Sequence, residues 1–365
     1  MNIPSLSTAT DALSAGHDSG NTGAALAQSL GATLLEDAYG LQAEFAPLGT
    51  EQIQTGFMSL LTDLGLIGVS GDDAAAFLHT QLTNDVEHLE TSEGRWYGYC
   101  SPKGRMLGSF LGFKQPEGRI FLICSSTQLE PVRRRLSMFV LRAKAKLQDL
   151  SSEKVLIGIG GQHAGESLQG LGLNVPGPMQ TAHAPGLDCV NLPAVTIAGK
   201  PCPRWLLVVD AAQAEVLWHS LSERLEPASS TTWRWTDVLS AIPRIVPSTA
   251  EQFVPQMLNF ELVGGVNFKK GCYPGQEIVA RSQYLGKLKR RMFLAHAEGG
   301  QPEPGSDVLP ANGGEPCGQI VLAAPSPEGG VDLLFESQTA ALQSGTPTAS
   351  GIDLILRELP YPIPA

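Results

Sequence analysis

Residues 264–291 read GGVNFKKGCYPGQEIVARSQYLGKLKRR, and no other stretch of the 365-residue chain concentrates as much chemistry. Pro274 suits the first turn of a helix, where an amide proton would have no partner. Gln276 and Glu277 fall in that turn, against the positive end of the helix dipole. Gly286 suits a left-handed stop, so the spacing predicts a helix from Pro274 to Leu285. Cys272 then stands just ahead of a helix N-terminus, with Lys269 and Lys270 close by in sequence. Both features favour thiolate over thiol; the alternative is a small residue packed at a glycine-flanked bend. Glu277 reads as a capping carboxylate or as the partner of Arg281 at i+4. Arg281, Lys287, Lys289, Arg290 and Arg291 then set five cations in eleven residues without an acid. That run is either a solvated face or an anion site.

Charge along the rest of the chain gives the run its context. The sequence holds 25 Lys and Arg against 36 Asp and Glu, a formal −11. No basic residue precedes Arg95, while thirteen acids lie before it, so the remaining 271 residues carry 25 basic and 23 acidic side chains. The total argues against a generic nucleic-acid binder, yet the near-neutral body leaves room for an anionic cofactor. The first 50 residues have neither the basic n-region of a secretory signal nor an Arg-rich leader. No run of eighteen apolar residues occurs. A cytoplasmic protein without a membrane segment is therefore expected, with Met1–Gly23 as a solvated arm. The six cysteines, at 100, 124, 189, 202, 272 and 317, form no CxxC pair and have no histidine at ligand spacing. Neither a disulfide framework nor a structural metal site is expected. Cys124 reads as a small buried hydrophobe.

At this length two or three domains are expected. Phe57–Ser70 reads as strand-like at its end, and Asp72 or Asp73 as the cap of a helix placing Ala76, Phe77 and Leu82 inward. Residues 96–113 read as a hairpin turning at Pro102-Lys103-Gly104. A strand follows Gly118, then a helix over Thr127–Leu141 with Leu129, Val132, Leu136, Phe139 and Val140 on one face. A second unit opens near Val155 with strand, helix, strands near 187–197 and 205–209, and a helix over Ala211–Leu225 burying Val216, Leu217 and Leu221. Gly158, Gly160 and Gly161 lack dinucleotide-loop spacing and read as a strand-to-helix turn. Pro227–Thr232 reads as a linker, and short strands from about Lys289 as a small barrel or sandwich.

The string Lys270-Gly271-Cys272-Tyr273-Pro274-Gly275-Gln276-Glu277 resembles the K-G-C-[YF]-x-G-Q-E signature of the YgfZ family, folate-binding proteins related to the T-protein of glycine cleavage. FLHTQLTNDV (77–86), YCSPKGRML (99–107) and FVPQMLNFELVGG (253–265) extend the resemblance across most of residues 60–365. It implies an α+β fold: a three-domain T-protein-like ring of two ferredoxin-like domains and a C-terminal small β-barrel. The implied boundaries are an arm over 1–55, a folate-binding domain over 56–150 plus 231–287, a second domain over 151–230, and the barrel over 288–365.

The resemblance further implies an accessory protein that binds tetrahydrofolate or another reduced folate. It would support iron–sulfur cluster assembly or repair and so act indirectly on cluster-dependent enzymes such as tRNA-modifying ones. Its partners would be cluster-assembly proteins or cluster enzymes, with no direct nucleic-acid contact. Cys272 is the implied functional thiol. Trp233, Leu64, Lys270, Tyr273, Gln276, Glu277 and Arg281 are the implied cofactor contacts, Trp233 as a stacking surface and the following cations toward the glutamate tail of folate. Trp235 is the expected core residue of the two nearby tryptophans. Three departures from the relatives stand out. Leu64 replaces a folate-contacting tryptophan, Leu239 falls where T-proteins read the pterin with glutamate, and Gly108-Ser109 fall where they carry an aspartate pair. The last departure removes the acid–base group of aminomethyl transfer. An aminomethyltransferase is thus the first alternative. An RNA-binding module is the second, on eleven basic against two acidic residues in 95–146.

Overall fold

The computed structural model describes residues 21–284 and 288–364. Positions 1–20 of the expected arm lie outside the described residues. Residues 21–55 are not an arm: they form α1 (Thr22–Ser29), the hairpin β1 (Thr33–Asp37) and β2 (Gly40–Glu44), and α2 (Thr50–Thr55). The Asn21 side chain caps α1 by accepting the Ala24 amide at 3.1 Å. Leu26, Ala27 and Ala43 then pack in one core with Val155 and Ile157. Low charge and small side chains imitated disorder here, but the apolar residues keep a spacing that the second sheet can bury.

Next come β3 (Phe57–Leu60), β4 (Leu64–Ser70), α3 (Ala74–Gln81), β5 (Gly94–Cys100), β6 (Met106–Lys114), β7 (Ile120–Ser125), α4 (Ser126–Ser137) and β8 (Lys146–Asp149). The expected hairpin is β5–β6, inside a five-stranded sheet ordered β5-β6-β7-β4-β8. Asp73 takes the cap position of α3, but its carboxylate accepts the Lys144 amide at 2.7 Å instead of a helix amide. Ala76 faces solvent, and Ala74, Phe77 and Leu78 make the buried face. α4 stops at Ser137, so Phe139 is exposed while Leu129, Val132 and Leu136 are buried as expected.

The second unit contains β9 (Lys154–Gly160), α5 (Ala164–Gly170), β10 (Thr181–Ala184), β11 (Leu187–Ile197), β12 (Lys200–Asp210), α6 (Ala211–Leu221), β13 (Glu226–Ala228) and α7 (Ser230–Leu239). Its sheet runs β10-β11-β12-β9-β3-β13. β3 therefore belongs to this sheet, and not with β4 in the first unit as the boundary at residue 56 would have it. Val216 is 74% exposed, while Leu217 and Leu221 point inward. The segment read as a linker is built into the fold: β13 adds parallel to β3, and Ser230 opens α7. Its hydroxyls explain the misreading, because serines that suit a solvated linker here bind backbone. Ser230 Oγ accepts the Ala43 amide and Ser229 Oγ the Phe45 amide, both at 2.9 Å.

α8 (Gln276–Tyr284) precedes an antiparallel sheet of β14 (Arg290–Ala297), β15 (Asp307–Leu309), β16 (Gly318–Pro325), β17 (Val331–Gln338), β18 (Thr348–Ala349), β19 (Ile352–Asp353) and β20 (Ile355–Arg357). Its order is β19-β18-β15-β16-β17-β14-β20, a nearly closed, barrel-like arrangement. One core joins the sheets around α7: Leu66 and Leu111 from the first, Leu156 and Leu206 from the second, Leu322 and Leu334 from the third. A Cβ at Gly158 would enter the Trp233 ring and one at Gly160 the Phe57 ring. These glycines leave room for aromatic side chains, and Gly161 (φ +95°) makes the turn that follows.

The first two sheets are clamped by His183. Its Nδ1 lies 2.7 Å from Asp188 Oδ1 and its Nε2 2.7 Å from the Thr91 carbonyl. Both partners only accept, so the doubly protonated imidazole satisfies both contacts and neither neutral tautomer does. The bond to Asp188 raises its pKa, burial opposes the rise, and the Thr91 carbonyl adds to it. A raised folded-state pKa means that this stabilisation is complete below the unfolded value of about 6.5 and is lost as pH rises through the folded value. In urea unfolding, His183→Gln should lose stability against wild type at pH 6, and the gap should narrow at pH 9. A gap independent of pH would contradict the charged clamp.

Candidate functional site

The motif stretches converge on one face. Asn84 Nδ2 donates to the Gly264 carbonyl at 2.8 Å, and Thr83 Oγ1 to the Gly265 carbonyl at 2.6 Å. The Asn267 amide returns to the Thr83 carbonyl at 2.9 Å, and Gly98 N–H binds Thr83 Oγ1 at 2.8 Å. FLHTQLTNDV thus fastens GGVNF to β5. The second junction is glycine on glycine. A Cβ at Gly275 (φ +79°) would meet Gly104 Cα, Gly104 N and the Ser101 carbonyl at 2.5 Å. A Cβ at Gly104 (φ +71°) would sit 2.9 Å from Ile278 Cβ. Left-handed backbone at Gly275 also delays the helix, which begins at Gln276 and not at Pro274. The expected end at Leu285 and stop at Gly286 lie outside the described residues, as does Lys287.

Cys272 is the exposed one of six free cysteines. Lys270 turns away from solvent and donates to the carbonyls of His79 and of Leu82, the latter at 2.7 Å, at the C-terminal end of α3. Burial depresses its pKa to about 8, while Asp85 and Cys272 oppose the shift. Tyr273 is buried, which pushes its hydroxyl above the usual range, and the Lys270 ammonium lies 4.9 Å from its ring centroid. The Gln276 amide donates to the Tyr273 carbonyl at 3.1 Å. Glu277 and Arg281 pair at 3.3 Å in solvent, a contact contributing at most about 0.5 kcal/mol. The expected anion site is largely committed elsewhere: Arg290 holds Glu336 through Nε at 2.5 Å and Nη2 at 2.9 Å, and Arg291 binds Glu261. The basic stretch over 95–146 is similarly engaged where Arg133 meets Glu130 at 2.7 Å and Lys144 meets Asp72 at 3.2 Å.

Trp233 and Leu64 come together elsewhere, in a partly open cavity whose lining includes no residue of 264–291. The expected site residues therefore divide into a surface thiol loop and an interior cavity. Trp96 adds a half-buried indole to the cavity wall, and Ser109, Asp237 and Arg244 supply polar groups. Ser109 Oγ accepts the Ile245 amide at 3.1 Å. Leu239 packs partly buried against the surrounding core and is absent from the lining. Both tryptophans of α7 are buried, Trp233 more completely than Trp235. Trp235 is tied to the barrel by a 2.7 Å bond to Asp332 Oδ2.

Beneath the cavity runs an ion network that sequence reading missed. Arg204 is fully buried, lies 5.3 Å from the Trp233 ring centroid, and donates to Asp237 Oδ1 at 2.7 Å. Arg244 bridges Asp237 Oδ2 at 2.8 Å and Asp63 Oδ2. Burial disfavours its charge, but Asp63 and Asp237 outweigh that and hold the guanidinium above its ordinary range. The available signal was charge inside an otherwise apolar stretch, WRWTDVLSAIPRIV (233–246): such residues must be paired when buried.

This fold is shared with the glycine cleavage system aminomethyltransferase T from Bartonella henselae, with a TM-score of 0.74 over 92% of this chain and 96% of that one at 17% identity. No family model matches the sequence. Curated relatives do: a tRNA-modifying protein YgfZ from Edwardsiella ictaluri is 32% identical over 337 residues, 88% of this chain and 98% of its own. Another from Photobacterium profundum is 35% identical over 259 residues, 70% and 74% of the two chains. One from Escherichia coli is 29% identical over 251 residues, 68% and 74%. The chain belongs to the YgfZ family. Among the described residues, no cluster of three or more His, Cys, Asp or Glu could hold a metal, and no helix is long and apolar enough to cross a membrane.

Proposed function

We propose that the protein is a cytoplasmic, folate-binding accessory factor for iron–sulfur cluster assembly or repair. Through cluster-dependent enzymes it would support tRNA modification, the role named for its relatives. The observation that carries the folate reading is the cavity: two indoles and Leu64 offer apolar faces to flat rings, with Asp237 and Arg244 as the polar pair. A reduced folate, when bound, supplies a one-carbon carrier. Trp233 and Trp96 would hold its rings, with Leu64 as an aliphatic wall. The three sheets are read as three domains of a ring, the first two ferredoxin-like, with this cavity at their shared core. Aminomethyl transfer is the weaker reading. Gly108 and Ser109 offer no carboxylate, and Asp237 in the cavity is engaged by Arg204 and Arg244.

Titration with tetrahydrofolate, followed by tryptophan fluorescence, tests the reading. Wild type should show saturable quenching, and Trp96→Ala should bind at least about ten-fold more weakly, a loss typical of one stacking contact. No response in wild type would remove the folate assignment. Trp96 is preferred to the fully buried Trp233 because truncating the latter would leave a core cavity.

Cys272 is proposed as the functional thiol, presented at the surface for a partner protein. Since it is exposed, Cys272→Ala should leave Tm within about 1 °C of wild type yet fail to restore cluster-enzyme activity in a deletion strain. Full complementation would show that the thiol is dispensable.

A further inference from the structure

The segment that leaves α7 forms one wall of the Trp233 cavity: Ile242 and Pro243 are apolar, and Arg244 is the cation bridging Asp237 and Asp63. The far end of that wall has its own anchors, the ion pairs of Arg244 and the Ile245 amide on Ser109 Oγ at 3.1 Å. The near end depends on Ala241, which is fully buried and sits at φ +51°. A non-glycine residue enters this left-handed region at a cost of roughly ten-fold in population. Its amide closes back on the Val238 carbonyl at 2.9 Å, inside α7. Its carbonyl lies beyond the helix and accepts the Tyr361 hydroxyl at 2.9 Å.

Tyr361 comes from 120 positions further along the chain. It belongs to the segment 358–364 after β20, which among the described residues joins no sheet. Leu359 and Tyr361 pack against the core, while Glu358, Pro360 and Pro362 face solvent. A phenylalanine would pack in the same way; what the hydroxyl adds is the bond to Ala241. Burial pushes the Tyr361 pKa up to about 12, so the hydroxyl keeps its proton and donates.

We infer that Tyr361 is a positioning residue for the Trp233 cavity: through the Ala241 carbonyl, the C-terminal segment fixes the Ile242–Arg244 wall. Tyr361 is not itself part of the lining. Without its hydroxyl the Ala241 carbonyl is buried with no donor, and nothing outside α7 holds the residue at positive φ. The apolar side of the wall and its cation then lose their placement together. The ligand meant is the reduced folate proposed above, so the binding arm of the test rests on that reading, whereas the placement of the wall does not.

Tyr361→Phe is compared with wild type by hydrogen exchange and by tetrahydrofolate titration. Amides over 241–246, Ile245 among them, should exchange about five-fold faster in the variant, the effect of one lost hydrogen bond, with β17 unchanged. Tetrahydrofolate should bind about five-fold more weakly. Glycine adopts φ +51° without strain, so adding Ala241→Gly to Tyr361→Phe should slow the exchange again and recover most of the affinity. A tyrosine that merely packed would show no such rescue. Wild-type exchange over 241–246 in Tyr361→Phe, even with a lower Tm, or a double variant no better than the single one, would overturn the assignment. If wild type itself ignores tetrahydrofolate, the folate reading falls and the exchange arm alone decides on Tyr361.

Discussion

Gly275→Ala is expected to destabilise the protein by about 3 kcal/mol, the range of a strained backbone position combined with a steric clash. Two costs combine. An alanine at φ +79° sits in the left-handed region that only glycine adopts freely. Its methyl would also lie 2.5 Å from the Gly104 backbone and the Ser101 carbonyl. Backbone cannot swing aside as a side chain can, so segments 101–104 and 274–277 must separate. That separation reaches the thiol loop, because Tyr273, two residues earlier, is buried beneath it and its carbonyl accepts the Gln276 amide. Thermal unfolding should register a clear drop in Tm, and alkylation of Cys272 should change in rate. Cys272→Ala, by contrast, should leave Tm alone. A Gly275→Ala protein with wild-type Tm and alkylation rate would mean that the two loops do not interlock as described.

This junction shows what a sequence can and cannot disclose. The signature around Cys272 was legible because local chemistry is written in order: glycine for a bend, proline before a helix, glutamate and arginine four apart. What Gly275 is for was not legible, since its reason is Gly104, 171 positions earlier. The Cys272 loop and the Trp233 cavity look like one site in a resemblance, yet they emerge as two places because α7 and α8 pack in different parts of the fold. The sheet that β3 joins was hidden for a related reason. Its pattern FMSL declares a buried strand, but pairing with β9 and β13 is a long-range choice. The cations after α8 looked like an anion site because Glu336 and Glu261, which neutralise Arg290 and Arg291, are distant in sequence.

The same blindness to distant partners hid Asp63, whose loss is the second large effect expected. Asp63 is fully buried, and its Oδ2 faces both Arg244 and Arg234. Asp63→Ala would leave two buried guanidinium groups sharing Asp237 and Asp37 with Arg204, three cations against two anions. Removing one member of a buried ion cluster typically costs about 3–5 kcal/mol, because the remaining charge keeps its desolvation penalty without its attraction. Urea unfolding should therefore place Asp63→Ala far below wild type. Glu277→Ala, which breaks an exposed pair, should stay within about 0.5 kcal/mol. The consequence extends past stability, since Arg244 lines the Trp233 cavity. An Asp63→Asn protein, which retains shape but not charge, should fold better than the alanine variant and still perturb ligand binding at that cavity. If Asp63→Ala and Glu277→Ala proved equally stable, the network beneath α7 would not be carrying the paired charges that its geometry assigns to it.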